Sequence, residues 1–197
     1  MIHTALEFLT SELNSHLKNK NGSTDDKVVL TNVATQEGGW AIPSQSLGLS
    51  LINIEEERIL KEQRSRFVNE DGETEHYNPE IKINLYVLVT ANYTGVTIPD
   101  NDSSEYLEGL KQLSHVLGFF QKKSVFTSAN SPALDTSIGK LVVELFSYSF
   151  EQLYNFWSVI GTRYLPSILY KVRLITVQEK GVLGKQPVFS DVDFNGL

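Results

Sequence analysis

SFEQLYNFWSVIG, residues 149–161, runs directly into TRYLPSILYKVRLITV, residues 162–177, and the reading of this junction decides the fold. Ser149 and Gln152 stand at capping-box spacing, where each side chain can satisfy the other's backbone N–H. Phe150, Leu153, Tyr154, Trp157 and Ile160 recur at helical spacing on one side, and Gly161 stands where a left-handed C-cap belongs. After Pro166 the period changes to two. Ile168, Tyr170, Val172 and Leu174 take one face of a strand; Leu169, Lys171, Arg173 and Ile175 take the other. The junction predicts a helix–turn–strand unit. Its aromatic side is expected to fill the domain interior, each large buried side chain contributing roughly 1.5–3 kcal/mol.

Working outward, the clearest strand in the chain is INLYVLVTAN from 83 to 92. It alternates Ile81, Ile83, Leu85, Val87, Val89 and Ala91 against Lys82, Asn84, Tyr86, Leu88, Thr90 and Asn92. LGLSLINI at 47–54 is a second strand, and the two predict a hairpin. Between them lies a mixed-charge arm, 55–80, too long for an ordinary connection inside a compact domain. KVVLTNVA is a short strand, SVFT another, and KLVVELFSYS a third. Ile2, Leu6, Leu9, Leu13 and Leu17 line one side of an opening helix. Tyr106, Leu110, Leu113, Leu117 and Phe120 do the same for a central helix whose start carries Asp102 and Glu105. The order, roughly α-β-β-β-α-β-β-α-β, predicts an α+β domain over 1–178. It should hold a mixed sheet of five or six strands flanked by about three helices. The glycine-punctuated segment 179–197 is expected to be a flexible tail.

Composition narrows the function classes. The chain has 197 residues and a net charge of −7, so its overall field opposes nonspecific binding to nucleic acid or an anionic membrane. There is no cysteine, which removes disulfides, thiolate metal sites and cysteine nucleophiles. No window approaches the roughly 20 apolar residues of a membrane span, and the N-terminal stretch has no signal-peptide pattern. His3, His16, His76 and His115 are scattered without metal-ligand spacing. Nucleophile-elbow and phosphate-loop motifs are absent. The adjacent acids Glu55 to Glu57 are followed by Arg58, Lys61 and Arg64, which suits a solvated ion-paired arm better than an acid–base pair in an apolar pocket. No catalytic residue, cofactor or metal is expected. A small acid-dependent hydrolase using Glu55, Glu57 or His76, and a monomeric adaptor that binds one peptide by strand pairing, are the alternatives.

The stretch 146–177 as a whole resembles the cap, or tail terminator, proteins of extracellular contractile injection systems of the antifeeding prophage and Photorhabdus virulence cassette type. The resemblance lies in Ser149, Trp157, Arg163, Tyr164, Pro166, Ser167 and Tyr170: a serine-started helix with a late tryptophan, an arginine–tyrosine turn, and a strand opening on tyrosine. IHTALEFLTSELNSHL, INLYVLVTANYTG and YLEGLKQLSHVLGFFQKKSVFT are similar to the family's opening helix, long strand and central helix, in matching order over about 1–178. What the resemblance implies is a tail-terminator-like fold and a mechanical role. Such a protein forms a homo-hexameric ring that ends tube and sheath polymerisation and couples sheath to tube. Its implied partners are further copies of itself, the sheath and inner tube proteins, and a paralogous cap sharing the end, with no nucleic acid and no membrane. Assembly in the cytoplasm would precede incorporation into an extracellular or membrane-anchored particle. Partner contacts are expected at Arg58, Arg64 and Arg66 on the arm, at Arg163 and Tyr164 in the turn, and at Leu169, Lys171, Arg173 and Ile175 on the last strand.

Overall fold

A computed structural model describes residues 1–57, 66–68, 74–76, 82–94, 102–176 and 184–186. Three helices are formed by Ile2–Asn21 (α1), Asp102–Lys122 (α2) and Phe150–Ile160 (α3). The strands are Val28–Leu30 (β1), Ser46–Glu56 (β2), Arg66–Val68 (β3), Thr74–His76 (β4), Lys82–Asn92 (β5), Val125–Phe126 (β6), Ile138–Phe146 (β7), Ser167–Thr176 (β8) and Gly184–Gln186 (β9). Six strands make one sheet in the order β1-β2-β5-β8-β7-β6, and β3-β4-β9 make a second. β1 runs parallel to β2 and every other pairing is antiparallel, so the large sheet is mixed. This is the expected α+β architecture.

Strand alternation sorts the large sheet into two faces. Leu85, Val87, Val89 and Ala91 of β5, with Tyr170, Val172 and Leu174 of β8, join Leu141 and Val143 of β7 in the main core. α1 and α2 close that core. α1 presents Leu6, Leu9, Leu13 and Leu17 as its spacing predicts, and it ends on Gly22 in the left-handed conformation. Aromatic rings lock the layers, with Phe8 edge-on to Phe126 at 5.5 Å and Phe120 4.7 Å from Tyr170.

α2 turns differently from its predicted stripe. Leu113, Val116 and Phe120 are buried together with Gln112, whereas Tyr106 and Leu117 are exposed. The cause is polar as well as apolar. Gln112 hydrogen-bonds Asn21 of α1 and Glu108, and Gly109 gives room for the Tyr93 ring, where an added Cβ would sit 3.2 Å from it. Together these fix a rotation that a hydrophobic count alone misses.

The α1–α2 seam carries a pH response. His16 lies 5.0 Å from the Phe119 ring, and burial, helped by Lys20, His115 and Lys122, lowers its pKa below the ordinary 6.5. A group whose folded pKa is depressed takes up protons more readily when unfolded. Its contribution is therefore present above about pH 6.5 and lost as pH falls through the folded pKa. The expected result is a melting temperature that drops between pH 7.5 and 5.5 in the parent and drops less in His16→Gln. Equal slopes in calorimetric scans of the two proteins would refute it.

The second sheet joins the expected arm to the expected tail: β4 lies between β3 and β9. Thus Gly184–Gln186, within the segment predicted to be flexible, pairs with Thr74–His76.

Candidate interaction surface

The second face of the large sheet has one apolar row and then becomes polar. Leu88, Leu169 and Phe146 lie side by side across β5, β8 and β7. α3 covers this row, and the small cluster beneath it contains Val33, Leu88, Trp157, Leu165 and Leu169. The helix is fixed as its sequence predicts. The Ser149 hydroxyl accepts the Gln152 backbone N–H at 3.3 Å, the Gln152 side-chain oxygen accepts the Ser149 N–H at 2.9 Å, and left-handed Gly161 donates its N–H to the Trp157 carbonyl at 3.2 Å.

What α3 does with its aromatics corrects the expectation that they fill the interior. Trp157 is its one fully buried side chain, with Leu153, Phe156 and Ile160 partly covered. Phe150 is 91% exposed, Tyr154 73% and Val159 87%. The reason is the width of the row below. A single apolar row accommodates one stripe of the helix, 153/156/157/160, and turns the stripe through 150 and 154 outward. Tyr164 is exposed beside them, its ring edge-on to Trp157 at 5.4 Å. Burial first, then the phenols of Tyr148 and Tyr106, pushes the Tyr164 pKa up. Phe150, Leu153, Tyr154, Trp157 and Tyr164 line a groove of about 440 Å³ whose other lining residues are Ser158 and Thr162. The lining is mainly aromatic, with the hydroxyls of Tyr154, Ser158, Thr162 and Tyr164 among it, a composition that suits the apolar side chains of another protein.

Next to this patch the same face carries a charged strip. Tyr86, Lys171 and Glu144 lie in register across β5, β8 and β7, and Asn84, Arg173 and Val142 form the next row. Glu57, only 7% exposed, lies 3.7 Å from Arg173 and 4.0 Å from Lys171, and accepts a hydrogen bond from Asn84 at 3.1 Å. Arg173 also reaches Glu144 at 3.4 Å. The Tyr86 hydroxyl donates to Glu55 at 2.8 Å, and this bond, more than burial, raises the tyrosine pKa. Glu57 is thus engaged as an ion-pair partner, and Glu55 as an exposed acceptor; an acid–base pair needs carboxylates in contrasting pockets.

The predicted contact residues divide accordingly. Arg163 and Tyr164 are exposed beside α3, and the Arg163 carbonyl accepts the Trp40 indole N–H at 3.2 Å. Lys171, Arg173 and Ile175 are half-buried on β8. Leu169, expected to meet a partner, is covered by the protein's own second cluster, because β8 is a central strand with α3 above that row. Arg66 begins β3, and His76 ends β4. Arg58 and Arg64 lie outside the described residues. The residues that sequence reasoning missed as a surface are Phe150 and Tyr154; the signal was present in a helix apolar on more sides than one sheet row can cover.

Among the described residues no group of three or more His, Asp or Glu is placed to hold a metal ion, and no helix is long and apolar enough to cross a membrane.

Comparison with known proteins adds three findings. The sequence model described as the Pvc16 N-terminal domain matches residues 4–191. Among solved structures the chain is similar to a sheath/tube terminator of PVC, an extracellular contractile injection system, imaged in the extended state. There the identity is 18% and the TM-score 0.59, covering 100% of this chain and 64% of that one. It is also similar to the tube-terminating cap of the anti-feeding prophage, at 18% identity and TM-score 0.57, over 93% of this chain and 59% of that one. The chain therefore spans less than two thirds of either solved protein, and at these identities the likeness is one of fold. No curated protein sequence matches it.

Proposed function

This chain belongs to the Pvc16 N-terminal domain family, and on that premise we propose that it is a structural terminator, a ring subunit that closes the end of a contractile, phage-tail-like injection particle. It acts by fitting other protein surfaces and transforms no substrate. Its partners are copies of itself and the sheath and inner tube proteins of the particle, with six subunits to the ring. Assembly takes place in the cytoplasm before release as part of an extracellular particle.

The observation that carries this reading is the uncovered side of α3. Phe150 and Tyr154 project from a helix held rigid by its caps and by Trp157, with Arg163 and Tyr164 at its end. Rigid aromatics with a nearby arginine are the side chains that dominate protein–protein interfaces. A head-to-tail ring needs two different surfaces on each subunit, and the α3 face is assigned to the neighbouring copy. The charged strip of Lys171, Arg173 and Glu144 borders it as a polar rim.

The test is co-expression with the particle's sheath and tube proteins, followed by negative-stain imaging and light-scattering mass. Sixfold rings at particle ends are the expected result. A chain that stays monomeric and leaves tube and sheath ends bare overturns the reading.

A further inference from the structure

The chain itself carries a segment that fits the groove beside α3. Residues 187–197, PVFSDVDFNGL, hold Val188, Phe189, Val192 and Phe194 together with Asp191 and Asp193, and no lysine or arginine. In an extended chain successive side chains alternate, so Val188, Val192 and Phe194 share one side and the two aspartates share the other. That pattern complements the groove. Phe150, Leu153, Tyr154, Trp157 and Tyr164 offer an apolar floor. Arg163, between Thr162 and Tyr164 of that lining, is exposed, and its guanidinium has no ion-pair partner among the described residues. Apolar side chains take the floor while carboxylates reach the guanidinium at the rim.

The run of the strands puts a chain's own groove at the limit of this segment's reach. α3 leads into β8 through the turn that closes at Pro166, so the groove stands at the end of the sheet where Ser167 pairs with Thr90. The ten residues of β8, at roughly 3.3 Å each, then carry the chain about 30 Å to the end where Ile175 pairs with Lys82. β9 pairs with β4, which residues 77–81 join to the start of β5, so residue 187 departs from near that far end. Eleven residues stretched fully span at most about 36–40 Å. A return to the chain's own α3 uses most of that length in transit and leaves little to lie along the groove. A neighbouring copy meets no such limit.

We infer that residues 187–197 of each copy seat in the α3 groove of the next copy, with Val192 and Phe194 against the aromatic lining and Asp191 and Asp193 toward Arg163. This rests on the ring reading, which needs two unlike surfaces on each subunit: the groove is one and the tail segment is the other. Recognition of an extended peptide through its alternate side chains is a recurring mode between proteins. The contact is directional, because one copy gives a tail and the next receives it. Every groove and every tail is satisfied only when the ring closes.

The experiment mixes two full-length variants and follows them by sedimentation velocity over a hundredfold concentration range. One lacks the groove anchors, Phe150→Ser with Tyr154→Ser; the other lacks the tail anchors, Val192→Ser with Phe194→Ser. Each alone should self-associate about 100-fold more weakly than the parent. Mixed in equal amounts they should form a one-to-one dimer and nothing larger, because one intact tail meets one intact groove and the remaining ends are blocked. Arg163→Glu should weaken association by about 10-fold, and adding Asp191→Lys with Asp193→Lys should recover part of the loss. This charge exchange carries the same comparison should an aromatic variant fail to fold. A tail variant that associates like the parent, or a mixture of folded variants that stays monomeric, overturns the inference. The ring reading fails separately. Bare tube and sheath ends beside a clean one-to-one dimer would sink the ring and leave the contact, whereas capped ends beside a monomeric mixture would sink the contact alone.

Discussion

Replacing Phe150 and Tyr154 together by serine is expected to weaken self-association by about 100-fold or more while leaving the melting temperature within a few degrees of the parent. Side chains that are 91% and 73% exposed contribute little to the fold, and surface substitutions of this kind usually change stability by less than about 0.5 kcal/mol. Aromatic anchors at the centre of an interface, by contrast, cost about 2 kcal/mol or more each when truncated, and 100-fold corresponds to about 2.7 kcal/mol. Sedimentation velocity reads the association and calorimetry reads the fold. The same variant should leave tube and sheath ends uncapped in the co-expression assay. Retained ring formation with these two side chains gone would remove the α3 face from the assembly altogether.

Trp157→Ala is expected to do the reverse, costing about 3–5 kcal/mol of stability. Trp157 is the side chain through which α3 holds the sheet. Its ring stands edge-on to Phe156 at 5.9 Å and to Tyr164 at 5.4 Å, and it fills the second cluster over Leu88 and Leu169. For a domain of this size each kcal/mol moves the melting temperature by about 2–4 °C, so a fall of roughly 6–20 °C is expected. Trp157→Phe supplies the contrast. The buried indole N–H has no hydrogen-bond partner, so removing it relieves an unsatisfied donor and offsets part of the lost packing. A phenylalanine variant as unstable as the alanine one, in the same scan, would show that the indole's shape and not its area holds the helix.

The local grammar of the chain was legible wherever a single element decided it. Ser149, Gln152 and Gly161 cap α3 as their spacing requires, and Leu6, Leu9, Leu13 and Leu17 bury the predicted side of α1. The alternation in β5 and β8 assigns each residue to its face. Arrangement between elements was not legible. Nothing within β8 says that it will stand between β5 and β7, so an apolar-plus-basic face resembled a free surface when Leu169 is in fact roofed by α3. The rotation of α2 depends on Gln112 finding Asn21, a residue 91 positions away. The exposure of Phe150 and Tyr154 follows from how few apolar residues the sheet places opposite α3, a quantity spread over three strands.

The turn from Gly161 to Pro166 makes α3 and β8 mechanically one piece, and β8 has a full antiparallel ladder on either side, with β5 and with β7. A tug on the exposed helix therefore travels lengthwise into the middle of the sheet, at right angles to the rungs. Neither neighbour can be peeled away one rung at a time; both ladders must slide together before the strand yields. The face proposed to meet the neighbouring copy is anchored where the sheet is hardest to tear.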